Sequence, residues 1–432
     1  MTYLSWLSIV RLGLVQLCLG AIVVLTTSTL NRLMVVELSL PAVLPGFLVG
    51  LHYAVQITRP NWGFLSDSGG NRTRFILLGM IALALGALLA AAGFVVMAGA
   101  YWTGLMLSII AYVLIGIGVG ASGTSLLALL ATTTHPRRRA AAATITWLMM
   151  IFGIAVTATI VGKLLDPYSA TRLLELVAGV GALAVALTAL AIWGVERRHG
   201  GATQPQTAPQ SFQIGMTEIW HEPRARHFTL FIFLSMIAYF MQELILEPYA
   251  GLAFGFSPGQ STQLSGIQNG GVFAGMLTVG VAATALRIGS LRTWVIAGCA
   301  GSALALLVVA LAGQTADGAD VLLPATVALG FFNGMFAVAA IGSMMALAGE
   351  GRQEREGTRM GLWGASQAVA AGLGGLLGAA AVDIARLFTD TPTAFGLVFV
   401  FEAGLFVAAA VMAAQIIQSR HQPRLGRIVP GE

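Results

Sequence analysis

Residues 50–74 read GLHYAVQITRPNWGFLSDSGGNRTR, and their reading decides the fold. The stretch begins inside an apolar run that nevertheless carries His52, Gln56 and Arg59. It leaves that run at Pro60 and ends in a turn-rich loop bearing Asp67, Arg72 and Arg74. Polar side chains inside long hydrophobic sequence are costly unless they are paired or functional. The basic loop raises a second question, which side of a membrane it faces.

The chain on either side makes that membrane explicit. Mean hydropathy is +0.84 and 9% of the 432 residues are charged, outside the range of soluble domains. Apolar runs near the ~20 residues needed to cross a bilayer recur from end to end. They are rich in Ala, Gly and Leu without polar/apolar alternation, which predicts helices and argues against an outer-membrane barrel. Twelve spans are predicted, near 12–36, 44–63, 75–97, 103–129, 142–163, 173–195, 228–249, 264–286, 292–313, 321–347, 359–381 and 394–418. Met1 to Val10 reads as a short amphipathic lead lying at the interface. The long polar segment Glu196 to His227 has a flexible centre, HGGATQPQTAPQS. Its end offers Phe212, Met216, Ile219 and Trp220 as the apolar stripe of a surface-lying helix. The expected organisation is a six-helix bundle over 1–195, a linker over 196–227, a second bundle over 228–418 and a tail over 419–432.

Arginines set the orientation. Arg72, Arg74, Arg137, Arg138, Arg139, Arg197, Arg198, Arg224, Arg226, Arg287, Arg292, Arg352, Arg355, Arg359, Arg420, Arg424 and Arg427 fall on one side, whereas the opposite loops hold Lys163, Arg172 and Arg386. The positive-inside rule therefore predicts that both termini and the central linker are cytoplasmic. Arg11 leads straight into a span, so no cleavable signal is expected. Cys18 and Cys299 sit in apolar spans and read as small buried hydrophobes. No Walker loop, dinucleotide fingerprint, nucleophile elbow or metal-ligand spacing occurs, so ATP-driven work, catalysis and an intrinsic metal or cofactor are not expected. The basic loops have no nucleic-acid fold to present them, and no nucleic-acid partner is expected. The lipid bilayer is the first partner.

Two six-span halves joined by a cytoplasmic loop suggest the major facilitator architecture, an all-α polytopic fold. The segment Gly63 to Arg72 resembles that superfamily's signature between its second and third helices. Gly63, Asp67 and Gly70 match it. Ser68 and Asn71 replace basic positions, and Arg72 and Arg74 restore the charge slightly later. The resemblance gives Asp67 the role of holding the two bundles together at the cytoplasmic face, through a helix N-terminus and an arginine.

Three polar groups inside the spans need an account. Arg32 and Glu37 approach the end of the first span five residues apart, a spacing that favours separate partners on other helices. His52, Gln56 and Arg59 follow i, i+4, i+7 and share one face, just before the proline. Gln242, Glu243 and Glu247 lie in MQELILEPYAG, with the glutamates on one face and Pro248 at the expected helix end. Structural ion pairing and a role in proton or substrate coupling are both open for these charges. His52 either bonds Gln56 or a carbonyl, or serves as a relay or axial ligand. Glu402 and Asn333 read as lone groups bonding a neighbouring helix.

The stretches TLNRLMVVEL (29–38), GLHYAVQITRP (50–60), EIWHEPRARHFTLFIFLSM (218–236), QELILEPYAGLAFG (242–255) and STQLSGIQNGG (261–271) resemble the PucC family. This is the light-harvesting-assembly branch of the facilitators, and the type encoded among bacteriochlorophyll-biosynthesis genes is the nearest. The resemblance implies an inner, intracytoplasmic photosynthetic membrane and bacteriochlorophyll, or a late precursor, as a bound ligand to be held or delivered. Antenna polypeptides and pigment-synthesis enzymes are the implied partners. Under it, His52, Gln56, Arg59, Glu243 and Glu247 become pigment or substrate candidates, with His52 a possible ligand to the pigment's magnesium. A proton-coupled solute carrier and a pigment-independent assembly chaperone are the competing expectations.

Overall fold

The computed structural model describes residues 3–59, 62, 72–135, 139–195, 223–284, 286, 288–315, 317–348 and 356–416. Twelve helical segments occur among them. The first half runs α1 (Trp6–Val36), α2 (Val43–Thr58), α3 (Arg72–Met97), α4 (Tyr101–Thr133), α5 (Arg139–Leu165) and α6 (Ala170–Ile192). The second runs α7 (Pro223–Phe254), α8 (Pro258–Thr284), α9 (Leu291–Ala312), α10 (Gly318–Ala348), α11 (Glu356–Ala385) and α12 (Thr391–Ile416). Among the described residues, ten helices are long and apolar enough to cross a membrane. The two outside that criterion are α2, which is short, and α8, whose first half is rich in Gln, Ser and Thr.

Helix starts follow local chemistry. Ser5, Ser169 and Ser290 each accept a first-turn N–H, capping α1, α6 and α9. At the other end of α6, Arg11 donates to Leu190 O and Trp193 O, both at 2.6 Å, and so satisfies carbonyls the helix leaves unpaired. Trp6 and Trp193 lie exposed at one end of the bundle and Tyr101 and Trp102 at the other, where amphipathic rings suit a membrane interface.

Packing repeats between the halves. The pairs α1–α5, α1–α6, α2–α4, α3–α4 and α3–α6 recur as α7–α11, α7–α12, α8–α10, α9–α10 and α9–α12. Across the halves, α2 packs on α11 and α5 on α8, so each half's second helix meets the other's fifth. Small residues allow the close approach: a Cβ on Gly162 would strike Gly259 O, and one on Gly266 would strike Thr159. One buried core runs from Leu4 to Val195 and admits Leu244 of α7; the other runs from Phe228 to Ala413.

Several sequence expectations are corrected. α8 begins at Pro258, ahead of the predicted 264, because Ser257 and Gln260 cap each other's backbone N–H and proline suits a first helical position; Ser261 Oγ and Gln263 Nε2 then bond back to Ser257 O and Gly259 O. Pro248 does not end α7, which continues to Phe254. A helical proline leaves the carbonyl four residues back without its N–H. That carbonyl, Leu244 O, instead accepts Asn31 Nδ2 from α1 at 2.6 Å. The N-terminal lead is no separate element, since Trp6 already opens α1. Gly63, Asp67 and Gly70, the linker's surface-lying helix, Arg137 and Arg138 lie outside the described residues, while Arg72 opens α3.

Candidate functional site

The site is built around a wide turn. Within α1, Leu25–Thr29 adopts a π-helical turn, LTTST, entirely buried. Thr26 and Thr27 return their hydroxyls to Val23 O, and Tyr112 of α4 donates to Thr26 O at 2.7 Å. The extra residue in such a turn re-aims side chains, a feature frequent at functional sites. Here it turns Ser28 and Thr29 towards α8, where Ser28 Oγ meets Ser265 Oγ at 3.3 Å and Thr262 Oγ1 meets Thr29 Oγ1 at 3.2 Å.

A cavity opens beside these contacts, with about 410 Å³ of empty space including its open mouth. Ser28, Tyr239, Gln242, Glu243, Leu246, Glu247, Ser265, Gln268, Asn269 and Val272 line it, from α1, α7 and α8. The expected shared face of Glu243 and Glu247 is therefore real and points into a polar space between the halves. Glu247 is 1% exposed; its carboxylate faces the hydroxyls of Ser28 and Ser265 and lies within reach of the Arg32 charge. Gln242 Oε1 is buried and unpartnered. No basic side chain lines the cavity, so its chemistry is acceptor-rich. It suits a proton or a hydrogen-bond donor, because two hydroxyls alone leave a buried carboxylate costly.

Arg32 lies towards the end of the bundle away from the termini. It is 2% exposed and binds Glu37 Oε1 at 2.5 Å and Phe256 O at 2.7 Å. This corrects the expectation that the two charges take separate partners. Glu37 follows the last residue of α1, so the helical-face argument against i, i+5 pairing no longer governs its side chain. Arg32 does also reach the other half, through the backbone of Phe256. Gly251, one turn beyond Glu247, leaves the space that the guanidinium enters.

His52, Gln56 and Arg59 form a chain of their own on α2, outside that cavity. Arg59 donates to Gln56 Oε1, which orients the amide so that Gln56 Nε2 donates to His52 Nε2 at 2.9 Å. His52 is then the tautomer carrying its proton on Nδ1, an atom that is buried without a partner. The ring is 2% exposed and stands edge-on to Tyr53, which packs on Phe240 of α7. The bond to Gln56, one of the two readings of His52, is what the structure contains. It occupies the imidazole lone pair that a magnesium ligand needs.

Asn333 bonds a neighbouring helix as expected, accepting Ser302 Oγ at 2.7 Å. Glu402 is fully buried, and neither oxygen has a partner. Both cysteines are free and buried. Sequence reasoning passed over Ser28, Thr29, Tyr239, Ser265, Gln268 and Asn269. The hydroxyl run TTST in the first span and the polar start of α8 were the available signals.

Repeat-related bundles joined through α2–α11 and α5–α8, with a polar cavity between them, define a major-facilitator-type membrane protein. Solved structures agree on the fold: a mutant of the nucleoside transporter NupG superposes with a TM-score of 0.71 at 14% identity, over 95% of this chain and 99% of that one. The chain belongs to the family described as PUCC protein, whose profile matches residues 29–421. It is 64% identical to the Rhodobacter capsulatus protein named Bacteriochlorophyll synthase 44.5 kDa chain, over 99% of this chain and all of that one. It is 29% identical to Protein PucC of the same organism, over 95% and 92% of the two chains.

Proposed function

We propose that the protein serves the biogenesis of bacteriochlorophyll–protein complexes in the bacterial inner, intracytoplasmic membrane. In this reading it holds or hands over bacteriochlorophyll, or a late precursor, to antenna polypeptides, and it catalyses no reaction. The observation that carries the reading is the chain-long identity to a relative named for bacteriochlorophyll, on a fold of the transporter type. The word synthase in that name is set against a fold built to bind and release ligands between two bundles.

A pigment with an isoprenoid tail fits poorly in a cavity where eight of ten lining residues carry polar atoms. The proposed place for it is therefore an apolar, lipid-facing groove, entered laterally. His52, buried and bonded to Gln56, would hold the pigment's magnesium only if Gln56 gave up Nε2 and this face of α2 opened to the groove. A strain lacking the protein tests the function: its antenna absorbance falls while reporter-measured antenna transcription holds. Unchanged antenna absorbance would remove the reading.

The cavity favours a second reading, a proton-coupled carrier of a small solute, with Glu243 and Glu247 as the coupling groups. Vesicle acidification driven by a solute gradient, abolished by Glu247→Gln, supports it. Pigment loss in the deletion strain without any proton flux opposes it.

A further inference from the structure

The two seams between the halves close in the same way at the end of the bundle away from the chain termini. Asp166, just beyond α5, accepts Ser257 Oγ at 2.6 Å and the Gly259 N–H at 3.1 Å. Asp383, in the last turn of α11, accepts the N–H groups of Ala42 at 3.0 Å and Val43 at 2.7 Å. Each carboxylate comes from one half and sits on the first turn of the other half's second helix. Unpaired N–H groups and the helix dipole favour an anion there.

The two sites are related by the same repeat that relates the helix packing, so each supports the reading of the other. α2 has no side-chain cap of its own, and Asp383 supplies one from across the seam. α8 begins at a Ser257–Gln260 reciprocal cap, and Asp166 bonds the capping hydroxyl. Small residues bring the seams close, Gly162 against Gly259 on one and Gly46 against Ala379 and Gly50 near Gly372 on the other, and apolar side chains fill the rest, among them Phe152 against Phe273. Such surfaces give close contact without directional bonds and tolerate a pivot. The aspartates supply the direction. Breaking either contact strands helix-start N–H groups until water reaches them.

We propose that Asp166 and Asp383 are a repeat-related pair of latches that hold this end of the molecule shut, and that release of both opens the cavity between the halves to that side. One latch alone keeps the end closed, because the other seam remains, and the Arg32 bond to Phe256 O parts only once both are released. The pair therefore acts together, and single losses show little.

The test is side-specific labelling in membrane vesicles of both orientations. Cys18→Ala and Cys299→Ala remove the native thiols, and Asn269→Cys places a reporter in the cavity. A membrane-impermeant maleimide is applied to the latch side. Asp166→Ala with Asp383→Ala is expected to raise labelling from that side by about tenfold, and each single change by much less, as loss of charge-assisted hydrogen bonds implies. If the double variant loses its melting transition, the Asp166→Asn/Asp383→Asn pair is read instead, since it keeps the shape of both contacts. Unchanged labelling from the latch side, or an equal rise from both sides, overturns the proposal.

Discussion

Asn31 of α1 donates its side-chain amide to Leu244 O of α7 at 2.6 Å, taking the acceptor that Pro248 leaves free within its own helix. One bond thus repairs a proline defect and ties the first helix of one half to the first helix of the other. Asn31→Ala is expected to lower stability by about 1–2 kcal/mol, the cost of a buried acceptor left unpaired. In a Pro248→Ala background the carbonyl regains a helical partner, so the same change should cost less. Thermal unfolding of the four proteins in detergent measures that coupling. Equal costs in both backgrounds would separate the asparagine from the proline.

Arg32 makes a second tie. Glu37→Gln weakens the partner of a guanidinium that is 2% exposed, whereas Glu37 itself is 37% exposed and can rehydrate. Stability should fall by about 1–3 kcal/mol in Glu37→Gln and recover in part when Arg32→Met is added, since the double change no longer leaves a buried charge short of its partner. A double variant less stable than Glu37→Gln alone would contradict this.

The sequence made the architecture legible because membrane spans and arginine placement are read from composition over long windows. Facing positions of one helix, such as Glu243 with Glu247, were equally legible. What escaped depended on long-range geometry. The i, i+5 rule failed for Arg32 and Glu37 because the helix ends between them. Pro248 reads locally as a helix end, because its rescue by Asn31 comes from over two hundred residues away in the chain. The polar start of α8 looked like loop because burial against another bundle leaves no local signature. Asp166 and Asp383 lay in unremarkable turns until packing set each on a foreign helix start.

The chain Arg59–Gln56–His52 separates two roles for the histidine. If His52 ligates pigment, Gln56→Leu frees Nε2 and retained bacteriochlorophyll holds or rises, while His52→Ala lowers it. If the chain only stabilises α2, both changes lower the melting temperature and leave the pigment spectrum alike. Absorbance per mole of purified protein decides between them.

Glu247 and Glu402 are both buried carboxylates, but Glu402 has no partner, whereas Glu247 faces Ser28 and Ser265 and opens on the cavity. Glu402→Leu should therefore be neutral or stabilising, by up to about 2 kcal/mol, as an unpaired polar group is replaced by an apolar one. Under the carrier reading, Glu247→Gln should keep the fold yet abolish function in a complementation assay. Full complementation by Glu247→Gln would remove the cavity from the working part of the molecule.

The most direct measurement of the central claim is the absorption spectrum of the tagged protein purified from photosynthetic membranes, with its partners identified in the same sample. The account predicts retained bacteriochlorophyll absorbance together with antenna polypeptides. A colourless preparation that still carries antenna polypeptides, equally from pigment-free cells, would contradict pigment handling and leave an assembly chaperone.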